Sequence, residues 1–393
     1  MIEYCQFHYL INLFKVYYNT IPDSKIFTYK FFNDMWKRKE NVSRILVGMS
    51  GGVDSSVAAR LLIDEGHDVT GITLQLWQYA DEDTKIAEQD VSHVQEIADF
   101  LKIPLIVADV RDRFRKSVVS FFIEGYEAGI TPNPCFYCNR VLKWAVMLEE
   151  AERLGFDYVA SGHYAQITRD DTGGIHLFRG KDRKKDQSYV LASLSKAQLQ
   201  KIMLPLGKYS KPQIREIARG CGLPSASAEE SQDICFLPDN GYGDLLKRYS
   251  SSVSNPGPIV DVSGKVLGEH QGLAFYTIGQ RKGLGVYAPL PMYVIEKQIS
   301  ANILVVGSKE SLGNGKMNVS SLNWISGESP EIPGDYEVEI RYHAKPHQGT
   351  LGCLSEDKIQ VTFKEPLRDI TPGQAAVFYQ GQEVLGSGMI ELN

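Results

Sequence analysis

The sequence predicts an α/β protein, with a parallel-sheet domain first, a small central domain next and a β-barrel at the C-terminus. Three observations carry this. From Arg44 short apolar runs alternate with amphipathic stretches, the pattern of strands and helices that build a parallel sheet covered on both faces. After about Gly220 the chain turns to Pro, Gly and Ser punctuation. Beyond Met292 short alternating strands follow, as barrels and sandwiches read.

Residues 1–40 hold eleven aromatic side chains without a clean period and are assigned no function. The 41–215 domain opens with a strand at Ile45 to Gly48 and a helix from Ser55 to Glu65. A strand from Val69 to Leu76 and a helix from Ala87 to Leu101 come next. Pro104 to Val110 forms a third strand, helical segments run to Leu154, and Tyr158 to Ser161 forms a fourth strand. Ligands of such sheets bind beyond the carboxyl ends of the strands. The central domain, 216–288, contains Asn255-Pro256-Gly257-Pro258 and a glycine-rich run from Gly279 to Gly285. In 289–393 the expected barrel strands are Met292 to Gln298, Ile303 to Val306, Tyr336 to Tyr342, Ile359 to Phe363 and Ala375 to Tyr379.

With 393 residues, 43% hydrophobic and 23% charged, the chain is long enough for several cores, which excludes a fibre, a disulfide miniprotein or a disordered chain. The apolar stretch Phe7 to Tyr18 is interrupted by His8, Asn12 and Lys15. The expectation is therefore no membrane span, no secretory signal and a cytoplasmic location. Six cysteines in so long a chain do not make a disulfide framework, and clustered ones point to chemistry or metal. Net charge is −6, yet Arg179 to Arg219 carries eleven basic residues against three acids. A basic stretch on an acidic protein suggests a localised polyanion site.

Three segments carry chemistry. Gly48-Met49-Ser50-Gly51-Gly52-Val53-Asp54-Ser55 lies between the first strand and its helix. Its glycines let backbone N–H groups wrap an anion, its serines add hydroxyls, and the helix N-terminus adds positive charge. It lacks the lysine of a GxxxxGK[ST] loop, and Asp54 suits a Mg²⁺ on bound phosphates. The plainer reading is a Ser-capped turn. In the second segment, Asn133-Pro134-Cys135-Phe136-Tyr137-Cys138, the two thiols precede a helix from Arg140 to Arg153, whose N-terminus is expected to lower a thiol pKa. Half of a zinc site is the other reading. The third is Ser231 to Phe236, where Cys235 follows a small and acidic run. Cys235 reads either as a thiol that closes against Cys138 or as a small buried hydrophobe.

The first loop resembles the SGGxDS loop of the N-type ATP pyrophosphatases. Together with Ser161-Gly162-His163-Tyr164-Ala165, Lys185-Asp186-Gln187-Ser188-Tyr189, Tyr276 to Gly285 and Arg341-Tyr342, in that order, the segments resemble the tRNA-specific 2-thiouridylases of the MnmA/TrmU family. The resemblance implies a pyrophosphate-loop ATPase domain, ATP and Mg²⁺ as cofactors, and ATP held by Gly48 to Ser55, Leu74 and Gly162. It implies adenylylation of the carbon-2 oxygen of the wobble uridine in tRNAs for Lys, Glu and Gln, followed by sulfur transfer. Cys235 would carry a persulfide and Cys138 would resolve it, leaving a Cys138–Cys235 disulfide.

Asn133, Pro134 and Cys135 would surround the target base. His163, Lys185, Asp186, Gln187, Arg341, Tyr342 and Gln374 would touch tRNA, and a persulfide-relay or cysteine desulfurase protein would donate sulfur. From the residues alone, His163 also reads as a core histidine, 185–187 as a solvated turn and Gln374 as a turn residue. Many members carry Asp where this chain has Cys135. That departure leaves open an iron–sulfur cluster held by Cys135, Cys138 and Cys235, and a different adenylylating enzyme of the same superfamily remains the other alternative.

Overall fold

The computed structural model describes residues 42–77, 91–228, 234–237, 241–250 and 252–391. The aromatic-rich start, the first residues of the expected 87–101 helix and Ser231 to Asp233 lie outside them. The first domain begins with β1 (Arg44–Gly48), α1 (Val53–Asp64), β2 (Asp68–Gln75), α2 (Ser92–Leu101) and β3 (Leu105–Asp109). Two long helices follow. In α3, Arg111–Phe114 and Ser120–Glu127 are joined by a π-helical turn, Arg115–Val119. In α4, Pro134–Cys138 and Trp144–Leu154 are joined by the π-helical turn Asn139–Lys143. π turns inside α-helices occur often at functional sites.

Then come β4 (Tyr158–Ala160), the hairpin β5 (Ala165–Arg169) and β6 (Ile175–Arg179), β7 (Ile202–Met203) and α5 (Lys211–Gly220). The five-stranded sheet has the order β3-β2-β1-β4-β7, with every pair parallel. Ile45, Leu46 and Val47 in β1 are fully buried, as a central strand covered on both faces requires. The winding reverses between β1 and β4. The crevice at their carboxyl ends is the place where such sheets bind ligands.

The hairpin β5–β6 is absent from the sequence reading, although Asp170-Asp171-Thr172-Gly173-Gly174 between two alternating runs is a turn signal. It also leaves the first domain's sheet, because β6 pairs with the last strand of the chain.

The central module holds α6 (Tyr242–Tyr249), β8 (Gly257–Asp261), β9 (Val266–His270), β10 (Tyr293–Gln298) and β11 (Ile303–Gly307). Its sheet has the order β10-β11-β8-β9. The strands expected at 292–298 and 303–306 thus belong with β8 and not to the barrel; their alternation marks strands but not partners.

Six strands close the barrel: β12 (Asn314–Trp324), β13 (Gly334–Glu339), β14 (His347–Ser355), β15 (Lys358–Leu367), β16 (Ala375–Gln380) and β17 (Glu383–Ile390). Closure comes from the β12–β17 pairing. β13 stops at Glu339 and not at the expected Tyr342. Arg341 and Tyr342 fall instead in a turn, with Arg341 O accepting from Ala344 N and His343 at φ +60°.

The barrel and the first domain share one apolar core. Trp144 and Tyr189 pack in it with Ile325, Val377 and Tyr379. Across the same seam Arg179, buried, donates from Nη1 to Asp186 at 3.2 Å and to Glu339 at 2.9 Å. Among the described residues no helix is long and apolar enough to cross a membrane.

Candidate functional site: an anion cradle beside three thiols

The loop after β1 occupies the crevice. Gly51 has φ +80°, which a side chain would strain, and the N-cap of α1 is Gly52, with no side-chain cap. The leading N–H groups of the twelve-residue α1 therefore keep no side-chain acceptor, the arrangement that receives an anion. Ser55 Oγ takes a hydrogen bond from Ser50 N at 3.2 Å and donates to Gly52 O at 3.1 Å, so the hydroxyls shape the loop. Gly162 presses on it from the β4 side. A Cβ there would lie 2.6 Å from Asp54 C and 2.7 Å from Ser55 N. Leu74, near the end of β2, packs along the wall between two cores. These residues fit the phosphates of a nucleotide.

Asp54 is not open for a metal. Lys211 Nζ sits 2.8 Å from each of its carboxylate oxygens, and the Tyr164 hydroxyl donates to Oδ1 at 2.7 Å. Because Mg²⁺ needs only one or two carboxylates when phosphates supply other ligands, Asp54 still fits that ion once Lys211 turns away.

The thiols lie next door. Asn133 caps α4, its Oδ1 accepting from Phe136 N at 3.1 Å, and Pro134 fills the first helical position, so α4 begins before the first thiol. The expected helix start at Arg140 is corrected accordingly, and Cys138 lies inside the helix. The expected lowering of its pKa is corrected too. Burial pushes the Cys138 thiol up to about 12, against the pull of Lys143. Burial likewise raises Cys135 and Cys235, although both keep exposed surface. Desolvation here outweighs any helix-end effect.

Lys143 ends the π turn. Burial opposes its charge, but Cys138, Cys235 and Cys135 together outweigh burial and its pKa is raised. One lysine thus serves three thiols. Cys235 reaches them because Phe236 is buried beside it, ring to ring with Phe114 at 5.5 Å and Phe122 at 5.3 Å. Phe236 is the buried hydrophobe of this segment, and Cys235 keeps exposed surface. Just after Cys138, Asn139 donates to Cys135 O at 3.1 Å, and its buried Oδ1 has no partner.

Two segments far apart in sequence meet at the rim. Gln187 hydrogen-bonds the Tyr342 hydroxyl, which in turn senses Cys135. The Tyr342 ring lies 5.8 Å from that of Tyr189 and 3.9 Å from that of His343, tilted against it. Lys185 is half-buried and its charge is felt at His343. Asp186 does not face outward. It is buried, accepts from Gly180 N and Ser188 N, and so shapes the turn that presents Lys185 and Gln187. Gln374 donates to Thr131 O at 2.8 Å and Arg341 donates to Thr371 Oγ1 at 2.5 Å. The first latches the barrel onto the approach to Asn133, and the second ties two turns of the barrel to each other.

The domains match, in turn, the families described as "tRNA methyl transferase HUP domain" over residues 43–239, "tRNA methyl transferase PRC-barrel domain" over 243–308 and "Aminomethyltransferase beta-barrel domain" over 314–390. Curated relatives described as "tRNA-specific 2-thiouridylase MnmA" match nearly end to end. The protein from Carboxydothermus hydrogenoformans is 45% identical, covering 88% of this chain and 97% of its own. That from Chloroflexus aggregans is 43% identical (89% and 98%) and that from Clostridium perfringens 41% (88% and 98%). The chain belongs to the MnmA family.

In this MnmA-family chain, His163 links the two halves of the site. It follows Gly162, its Nδ1 lies 2.6 Å from Ser161 Oγ, and its ring is 5.6 Å from that of Trp144. Burial, with Lys143 second, lowers its pKa to about 4. The folded protein therefore resists a proton that an unfolded histidine takes up at about pH 6.5. Stability falls as pH drops from about 6.5 to about 4 and changes no further below that on this account. Melting temperature measured across that range should decline less steeply in His163→Gln; equal slopes would remove His163 as the cause.

Lys143, Lys211 and Tyr164 are the site residues to which the sequence reading gave no role. Each had a weak signal: a lysine five residues past Cys138, a lysine in the basic stretch, and an aromatic two after Gly162. Among the described residues no three His, Cys, Asp or Glu side chains converge as metal ligands. Cys135, Cys138 and Cys235 as placed do not form a cluster or zinc site.

Proposed function

We propose that this chain replaces the carbon-2 oxygen of the wobble uridine in tRNAs for Lys, Glu and Gln with sulfur, using ATP. The observation that carries the reading is the joined site: an anion cradle whose wall, Gly162-His163, leads to Lys143 and its three thiols. An amide-like carbonyl is a poor electrophile. Transfer of AMP to its oxygen, with release of pyrophosphate, makes that oxygen a leaving group. Gly48 to Ser55, Leu74 and Gly162 hold ATP, which supplies the adenylyl group, and Asp54 is the carboxylate for Mg²⁺.

Sulfur enters as a persulfide on Cys235, whose exposure lets a persulfide relay or desulfurase protein reach it. The terminal sulfur attacks carbon 2 and AMP departs. Cys138 then attacks Cys235 Sγ, the sulfur–sulfur bond to the base breaks, and the electron pair stays on 2-thiouridine. Two thiols are oxidised to one disulfide and the sulfane sulfur is reduced. Cys138 must lose a proton from a thiol raised to about 12, so Lys143 stabilises the thiolate as it forms. Asn133, Pro134 and Cys135 flank the base.

The test is mass spectrometry of tRNA nucleosides with the protein, a persulfide donor and ATP. 2-Thiouridine with AMP and pyrophosphate is expected; ADP and phosphate would overturn the adenylylation. Activity with no consumption of the Cys235 persulfide would overturn the sulfur route.

Docking of tRNA falls to the rim. Not all of the basic stretch serves it, because Arg179 and Lys211 are buried and paired inside. Arg183 and Lys184 are exposed, and Arg183 donates to the neutral Gln382 at 3.0 Å. Each phosphate neutralised releases counterions. Changing Arg183, Lys184 and Lys185 together to Ala should flatten the slope of log affinity against log salt by about two to three. An unchanged slope places the tRNA elsewhere.

A further inference from the structure

The glycine loop brings no lysine to its anion, yet a lysine stands at its side. Lys211 is the first residue of α5, 157 positions beyond Asp54. It is 7% exposed, and its Nζ lies 2.8 Å from both oxygens of Asp54, in the first turn of α1. The Tyr164 ring is 5.9 Å from Nζ, and its hydroxyl shares Asp54. The backbone holds the lysine there, since Lys211 N donates to Asp182 Oδ2 at 2.9 Å.

A buried ammonium is costly even when paired, and a pair of this kind is weak evidence for stability. Nor is it needed to start α5. Ser210 and Gln213 already make a reciprocal cap, with Gln213 Oε1 accepting from Ser210 N at 2.9 Å. What the pair does provide is a cation with a flexible stem, poised at the N-terminus of α1 where phosphates are received.

We propose that Lys211 is the cation of the leaving group: as the bond between the α-phosphorus and the bridging oxygen breaks, its ammonium leaves Asp54 and neutralises the charge gathering on pyrophosphate. The electron pair of the broken bond stays on that oxygen, the new bond joins the α-phosphorus to the uridine oxygen, and Lys211 keeps its three protons. Asp54 is released to a divalent cation by the same movement. The inference rests on the adenylylation proposed above.

Pyrophosphate itself is the probe. Titration calorimetry with Mg²⁺ should show Lys211→Met binding pyrophosphate at least about tenfold more weakly than wild type. AMP should bind equally to both. The AMP-forming rate should fall about 100-fold, and Lys211→Arg should keep most of the pyrophosphate affinity. Unchanged pyrophosphate affinity in Lys211→Met, or equal weakening of AMP and pyrophosphate, overturns the proposal.

Should Lys211→Met fail to fold with Asp54 stranded, the comparison moves to Asp54→Asn with and without Lys211→Met. Equal pyrophosphate affinities in that pair overturn it as well. If wild type releases ADP and phosphate, the adenylylation reading fails on its own, whatever the pyrophosphate titrations show for Lys211.

Discussion

Cys235→Ser is expected to lower 2-thiouridine formation by more than about 1000-fold while ATP is still converted to AMP and pyrophosphate in the presence of tRNA. A serine hydroxyl cannot carry sulfane sulfur, but it leaves Phe236 in its aromatic nest with Phe114 and Phe122, so the segment keeps its place. Cys138→Ser should differ in a diagnostic way: sulfur reaches carbon 2, and the tRNA stays attached to Cys235 through a disulfide that added thiol releases. In wild type, one turnover without reductant should leave Cys138 joined to Cys235, detectable by peptide mapping, although the described cysteines are all free thiols here. Thiolation of tRNA by Cys235→Ser at a rate near wild type would end the persulfide reading.

The contrast between the two thiols and the cradle shows what the sequence could tell. The cradle is local chemistry. Gly51, Gly52 and Ser55 sit within a few residues, their conformational needs are written in their own types, and the structure finds them at the switch between β1 and β4. The thiols depend on surroundings. A helix end beside Cys138 argued for a low pKa, but burial raises it, and nothing within a few residues of Cys138 reveals how much protein encloses it.

Partners set by topology were also hidden. The alternation of Tyr293 to Gln298 marks a strand, but only the fold joins the 293–307 hairpin to β8. In sequence Lys211 is one more charge in a basic run that reads as a polyanion site, and its burial against Asp54 is a consequence of how α5 packs on α1. Gln374 does sit in a turn, its N–H donating to Thr371 O, but its side-chain partner, the carbonyl of Thr131, is 243 positions away.

Gly162→Ala is the other change with a large expected effect, and it probes the wall that joins the cradle to the thiols. The added methyl would stand 2.6 Å from Asp54 C and 2.9 Å from Asp54 O, which are backbone atoms of the first turn of α1 and cannot rotate aside. Either α1 or the 161–164 loop must shift by several tenths of an ångström. Overpacking of this kind costs about 1–3 kcal/mol in stability. The functional cost should be larger, because the displaced atoms carry the N–H groups and hydroxyls of the cradle, and a misplacement of about 1 Å can cost 100-fold. Affinity for ATP should therefore fall by about 100-fold, with AMP formation falling at least as far. Gly220→Ala is the control, since a Cβ at Gly220 meets nothing within 4 Å. If Gly162→Ala melts within a degree or so of wild type and binds ATP as tightly, the close approach of the β4 loop to α1 does not set the cradle. The route from Gly162 through His163 to Lys143 would then have no part in coupling nucleotide to thiols.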